Sequence, residues 1–261
     1  MPRFEPHPDR RPAVVTGASS GIGQATAVRL AEAGHPVVLG ARRLERLEET
    51  AEQIRAQGGE ALALPLDLTD GDSIEQFAKA AEAGLGPIEV IVSNAGDVLP
   101  VSTVGADPDD FVRQIAVNLM GPQRLVHHLV PQMLERGRGD VVFVTSEVAL
   151  RPRPNMAAYV ASKSGLEGMA QAMRLETEGT GVRVGMVRPG PSATEQGSNW
   201  DPAVVDGVIE LWSRFGLMRH NGYLRPADVA AAVVAMVSVP RGTSFAVIEV
   251  QPEAPDERGS A

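Results

Sequence analysis

Seven short apolar runs, rich in valine, isoleucine and leucine, alternate along this chain with longer amphipathic segments. No other feature constrains the fold as strongly. The runs cover residues 13–16, 37–41, 61–66, 90–93, 141–145, 182–187 and 245–250. They lack the strict alternation of a half-exposed strand, so they read as strands buried on both faces of a parallel sheet. The segments between them, 22–33, 44–57, 73–83, 108–136, 155–178 and 226–237, carry helical spacing. Asp70 and Ser73 precede one of these helices, and Asp107-Pro108 opens another with proline in its first turn. Gly34, Gly58, Gly84 and Gly137 follow helices, where a left-handed residue is favoured. Strands separated by helices connect through right-handed crossovers. The prediction is an α/β chain: a doubly wound, seven-stranded, mainly parallel sheet with helices on both faces.

No composition break or repeat divides the 261 residues, so one domain is expected. Residues 1–11 read as a loose arm, 189–225 as one long irregular insertion over the sheet, and 252–261 as a disordered tail. A net charge of −9 without a basic run argues against nucleic acid or an anionic membrane as partner. With no cysteine, disulfides and thiolate chemistry are excluded. His7, His35, His127, His128 and His220 show no metal-ligand spacing, and no metal is expected. No apolar run reaches the ~18 residues of a membrane span. The polar, proline-rich start has no hydrophobic signal core, so a cytoplasmic location is expected.

Between the first strand and the first helix stands Thr16-Gly17-Ala18-Ser19-Ser20-Gly21-Ile22-Gly23. Gly17 permits a tight turn, Gly21 clears the approach of a pyrophosphate, and Gly23 lets the helix pack close to the sheet. The helix start that follows suits an anion. The same letters match a G-x-S-x-G nucleophile elbow, but an elbow needs earlier strands to supply an oxyanion loop, and this turn follows the first strand. A P-loop would need a lysine that is missing here.

An NAD-binding chain places a carboxylate at the end of the second strand, on the ribose 2′-hydroxyl. Here that place is near Ala41 and is followed by Arg42 and Arg43. A guanidinium there pairs with a 2′-phosphate, so NADP(H) is favoured over NAD(H), with Arg42 as the expected contact and Ser19 adding a hydroxyl. Asp67, in Leu66-Asp67-Leu68, either accepts from the adenine amino group or serves as a turn aspartate.

Tyr159-Val-Ala-Ser-Lys163 puts a phenol and an ammonium on one helical face. The ammonium and an oxidised nicotinamide are together expected to lower the phenol pKa and make Tyr159 a usable acid or base. Ser146 follows the fifth strand, where a hydroxyl can donate to a substrate oxygen. Asn118 sits inside a long helix, an odd place for a poor helix former. Its amide is expected to hold a water linking Lys163 to solvent.

These motifs together resemble those of the short-chain dehydrogenase/reductase family over about 13–250. Thr16-Gly17-x-x-x-Gly21-x-Gly23 is similar to its cofactor turn, and Ser93-Asn94-Ala95-Gly96 to its N-N-A-G segment with serine first. Asn118, Ser146, Tyr159 and Lys163 match its tetrad, and Pro189-Gly190-x-x-x-Thr194 its segment after the sixth strand. The resemblance implies a Rossmann-like fold and hydride transfer between NADP(H) and a carbonyl or alcohol. Tyr159 would be the general acid or base, Lys163 would bond the nicotinamide ribose, Ser146 would orient the carbonyl and Asn118 would support the relay. Asn94, Ala95, Gly96, Pro189, Gly190 and Thr194 would line the cofactor. It also implies a homo-oligomer, dimeric or tetrameric. Two departures stand out: Arg188 occupies a place where asparagine is common, and no glycine pair follows the last strand.

For the substrate, Trp200, Trp212, Phe215, Leu217 and Met218 in the 189–225 lid point to an apolar, bulky ketone, or else simply pack the lid. Arg151, Arg153, Arg214, Arg219 and Arg225 either attract an acidic group, as in a 3-oxoacyl thioester carried on phosphopantetheine, or are solvated. A non-catalytic NADP(H) sensor or scaffold is the alternative of another class, although it has no need of the whole tetrad.

Overall fold

The computed structural model describes residues 4–197, 200–218 and 220–254. Seven strands form one sheet in the order β3-β2-β1-β4-β5-β6-β7: β1 (Ala13–Thr16), β2 (Val37–Ala41), β3 (Ala61–Pro65), β4 (Val90–Ser93), β5 (Gly139–Val144), β6 (Val182–Pro189) and β7 (Val247–Val250). Every pairing is parallel, where a mainly parallel sheet was expected. After β3 the chain returns to place β4 beside β1. The two halves therefore wind in opposite directions from the β1–β4 boundary, where such sheets open a crevice at their strand C-termini.

The apolar runs are continuous because both faces are covered. Val14, Val38, Ile91, Val141 and Phe143 point into one core, against helices α3 (Gly71–Leu85), α5 (Gly121–Arg136) and α6 (Ala157–Glu176). Their neighbours Val15, Leu39, Val92 and Val142 point into the other, against α1 (Gly21–Glu32), α2 (Leu44–Ala56) and α8 (Pro226–Ser238). Strand residues alternate between two apolar layers, so no polar alternation is visible in the sequence.

Several local expectations change. The segment predicted as one helix over 108–136 is α4 (Pro108–Ile115), a π-helical turn (Ala116–Met120) and α5. In an unbroken α-helix the N–H of residue 122 would bond the Asn118 carbonyl, but Pro122 has none. Gly121 is packed so closely on Leu68 that a Cβ would lie 2.6 Å from that residue's Cβ. Gly84 is not a helix stop. It lies inside α3, where a Cβ would meet Leu62 at 2.4 Å, and Gly86, with φ +82°, ends the helix instead. Ser73 is likewise inside α3, and Asp70 alone caps it.

The 1–11 arm is also not loose where it is described. Arg11 is buried and pairs with Asp140, His7 bonds the Val239 carbonyl, and Arg10 reaches Glu60 and the Leu85 carbonyl. Its polarity suggested solvation, but its partners come from distant parts of the chain. The expected tail lies outside the described residues from 255 onward.

Residues 189–225 contain a helix, α7 (Pro202–Arg214), where irregular chain was expected. Asp201 accepts from the Ala203 N–H at 2.8 Å with Pro202 in the first turn. This is the same signal that Asp107-Pro108 gives at α4, where Asp107 accepts from Asp109 at 2.8 Å. A bridge between Ser192 and Leu224 pins the two ends of this excursion together.

Candidate active site

The strand C-termini open onto one cleft of about 680 Å³. Its floor begins at the glycine turn. Thr16 Oγ1 accepts from the N–H groups of Asn94 and Ala95, both at 3.0 Å, and Asn94 Nδ2 donates to the Thr16 carbonyl at 2.9 Å. Asn94 thus ties β4 to β1 and holds the turn shut from beneath. A Cβ on Gly23 would lie 2.3 Å from the Gly17 carbonyl oxygen, so only glycine allows α1 to start this close to the sheet.

The start of α1 faces the cleft at Gly21 and Ile22. Its N-cap residue, Ser20, makes no side-chain cap bond, and no acidic residue stands in the first turn. The Ser20 hydroxyl is instead taken by Arg43 at 2.8 Å. The first-turn N–H groups are therefore left for a ligand, and they fit a diphosphate.

Arg43, not Arg42, is turned towards this site. Its guanidinium donates to the Ser19 hydroxyl at 3.0 and 3.2 Å as well as to Ser20. Arg42 also lines the cleft but makes no hydrogen bond among the described residues; its charge lowers the pKa of Asp67 as a lesser cause. The chief cause is the Thr69 N–H, which donates to Asp67 at 2.9 Å and forms a local turn there. Asp67 and Leu68 both line the cleft, so the turn and a ligand contact are compatible.

At the other end, α6 carries Tyr159 and Lys163 into the cleft. Lys163 Nζ donates to the Val144 carbonyl at 3.0 Å and lies 5.8 Å from the Tyr159 ring centroid. Burial pulls the Lys163 pKa down to about 8, opposed by the charge of Glu167. The expectation that Lys163 lowers the phenol pKa is not met by the protein alone. Burial pushes Tyr159 up to about 12, and only the Ser146 hydroxyl pulls it back. Tyr159 is thus held as a neutral phenol. Ser146 caps a short 3-10 turn (Glu147–Ala149) at the end of β5, with its hydroxyl in the cleft.

Asn118 is fully buried and does not line the cleft. Its Oδ1 accepts from the Asp97 N–H at 2.7 Å, and Nδ2 donates to the Asp97 carbonyl at 2.7 Å and to Ser162 at 3.0 Å. Both donors of the amide are engaged, while Oδ1 keeps one lone pair beyond the Asp97 bond. What Pro122 frees is the Asn118 main-chain carbonyl. Of the other predicted residues, Gly17, Ser19, Ser20, Gly21, Ala95, Gly96, Pro189, Gly190 and Thr194 line the cleft; Gly23 does not, serving the packing beneath.

Arg188 explains its own departure. Its Nε and Nη2 bond both oxygens of Glu167 at 2.9 and 2.8 Å, and Nη1 reaches Glu249 at 3.2 Å. Glu167 also accepts from Thr145 at 2.9 Å. Helix α6 is thereby braced to the ends of β5, β6 and β7 through Glu167 and Arg188.

Sequence reasoning missed Glu147 and Glu195, both of which line the cleft. Glu147 follows Ser146 directly, which is the one signal that pointed to it. It pairs with Arg153, and Arg153 stacks 4.7 Å from the Trp212 ring centroid. The remaining arginines do not converge. Arg151 pairs with Glu249 and Arg225 with Asp228; Arg214 lies over Phe215; Arg219 is outside the described residues. Trp200, Trp212, Val208, Ile209 and Met156 are among the apolar residues of the lining, whereas Phe215 is 59% exposed and Leu217 and Met218 do not line it. No helix among the described residues is long and apolar enough to cross a membrane.

A parallel sheet with a strand-order reversal, a glycine turn at its first strand and a Tyr–Lys pair at its fifth defines a dinucleotide-type α/β oxidoreductase. The family model for short chain dehydrogenases matches residues 11–204, and the chain belongs to the short-chain dehydrogenase/reductase family. It is 37% identical over 240 residues to the glycine betaine reductase ATRR of Emericella nidulans, which takes in 92% of this chain but only 18% of that protein's length. It is 35% identical to a short chain dehydrogenase of Pseudocercospora fijiensis, over 89% of this chain and 77% of that one. Among solved structures, an alcohol dehydrogenase from Thermococcus sibiricus with 5-hydroxy-NADP superposes with a TM-score of 0.81 at 28% identity, over 95% of this chain and 99% of that one. An actinorhodin polyketide ketoreductase with NADPH superposes with a TM-score of 0.80 at 30% identity, over 94% and 97%.

Proposed function

We propose that this oxidoreductase reduces an apolar ketone with NADPH, using Tyr159 as the proton donor. The observation that carries this reading is the half-buried Tyr159 phenol with Ser146 at its oxygen and Lys163 beside it, at the far end of the cleft from the glycine turn. NADPH, when bound, supplies the hydride. The chain supplies the rest. Tyr159, kept protonated by burial, donates to the oxygen that gains charge as the carbonyl is reduced. Ser146 orients that oxygen. Lys163 holds positive charge next to the phenol, which steadies the phenolate that donation leaves behind.

Arg43 is the favoured partner of the 2′-phosphate, because no carboxylate stands at Ala41 and its fork is already turned onto Ser19 and Ser20. The NADP-bound neighbours support the same choice. For the substrate, the paired state of Arg151, Arg153 and Arg225 favours a neutral apolar ketone over a thioester on an acidic carrier. The exposed Leu175 and Val112 support the homo-oligomer that the family resemblance implies.

Tyr159→Phe tests the mechanism. Turnover with NADPH and a panel of apolar ketones should fall by about 10²–10⁴-fold. NADPH affinity by calorimetry should hold. Turnover that survives removal of the hydroxyl would end the reading; wild-type protein that binds NADPH but reduces nothing would favour a sensor.

A further inference from the structure

Arg43 has a second set of bonds that the cofactor reading does not use. On one side its fork holds the hydroxyls of Ser19 and Ser20 in the glycine turn. On the other, Nη1 donates to Glu195 Oε2 at 2.9 Å. The second oxygen of Glu195 is taken by Arg46, one turn further along α2. One carboxylate from the base of the lid therefore bridges two guanidiniums at the rim of the adenosine end of the cleft. The neighbouring residue, Thr194, is packed on the same turn, since a Cβ on Gly21 would lie 3.3 Å from it. The lid base thus crosses the glycine turn and is fastened on its far side.

Two arginines on one carboxylate form an anion site filled from within. A ribose 2′-phosphate carries about −1.5 to −2 charge at neutral pH. It would meet two positive groups and displace a single negative one. We propose that Glu195 is an internal competitor for the 2′-phosphate of NADP(H), that Arg46 is a second phosphate ligand beside Arg43, and that NADP(H), unlike NAD(H), must release this lid latch to bind. The proposal rests on Arg43 being the 2′-phosphate partner. It adds that cofactor choice and lid position are one equilibrium. An unphosphorylated ribose offers Arg43 nothing to exchange for Glu195, so NAD(H) leaves the latch fastened.

The chain provides its own reporter, because both of its tryptophans, Trp200 and Trp212, lie in the lid region. Trp200 packs on Gly197, two residues after Glu195. The test is calorimetric titration of the full chain with adenosine 2′,5′-bisphosphate and with adenosine 5′-diphosphate at one fixed ionic strength, since these pairs are exposed and screened by salt. Glu195→Gln should tighten the 2′,5′-bisphosphate about fivefold and leave the 5′-diphosphate unchanged. Arg46→Ala should weaken the 2′,5′-bisphosphate alone. In the wild type, that ligand should shift tryptophan emission, the 5′-diphosphate should not, and Glu195→Gln should show the shift without ligand. If the wild type prefers the 2′,5′-bisphosphate but Glu195→Gln binds it no better, the latch is wrong and the cofactor reading stands. If the wild type binds both nucleotides equally and Arg43→Ala changes neither, the cofactor reading fails and the latch with it.

Discussion

Around Tyr159 the polar side chains are buried and bonded to one another. Lys163 holds the Val144 carbonyl, Thr145 and Arg188 share Glu167, and Asn118 grips both the N–H and the carbonyl of Asp97. Across the cleft, in residues 189–225, the polar contacts are few and mostly at the rim. Glu195 meets Arg43 and Arg46 with about half its side chain exposed, and Trp212 donates one hydrogen bond to the Pro154 carbonyl at 3.1 Å. The floor has one arrangement that satisfies its charges. The lid has a bridge at its stem, an apolar inner face and contacts that an ion can exchange. Under the proposed function, the floor would hold the reacting geometry and the lid would admit and release molecules.

The largest expected effect falls on the floor. Arg188→Leu leaves the buried Glu167 carboxylate without its bidentate partner and should lower stability by about 3–5 kcal/mol, read from denaturant melts. A loss as small as that from an exposed pair would erase the contrast with the lid. Next, Gly23→Ala forces α1 away from the Gly17 carbonyl and should cost about 1–3 kcal/mol, with weaker cofactor binding; a neutral result would mean the turn is not close-packed.

A third test uses protonation. Lys163, with a pKa of about 8, is charged below that pH and neutral above it, whereas Tyr159 stays protonated up to about 12. Reduction needs the phenol protonated and the ammonium charged, so kcat/KM for reduction should be level to about pH 8 and then fall roughly tenfold per unit. Lys163→Met should remove that limb. The smallest effect belongs to the lid. Trp212→Ala should raise KM for bulky ketones by about threefold to tenfold, with stability and NADPH affinity unchanged, and a matching loss of NADPH affinity would show the two regions to be one rigid unit.

Much of the floor was legible because its demands are local. A phosphate turn needs glycines at set spacings, and a phenol and an ammonium share a helix face only at certain separations; Tyr159, Lys163, Ser146 and Gly21 announce themselves that way. Glu195 and Arg46 do not, because each matters only for a partner far along the chain. The lid helix was legible in principle, since Asp201-Pro202 repeats the signal at Asp107-Pro108, but the aromatic and glycine content around it hid the pattern.

From the sequence alone came the strand count, the parallel sheet, the glycine turn and the shared face of Tyr159 and Lys163, because periodicity and short spacings are properties of neighbouring residues. Only the tertiary structure decided that Arg43 rather than Arg42 is bonded to the turn, and that the Asn118 amide holds Asp97. It also decided that Arg188 braces α6 through Glu167 and that Glu195 of the lid pairs with Arg43 and Arg46. Those outcomes depend on which distant groups meet a charge in a confined space, and burial, not spacing, sets the pKa values of Tyr159 and Lys163.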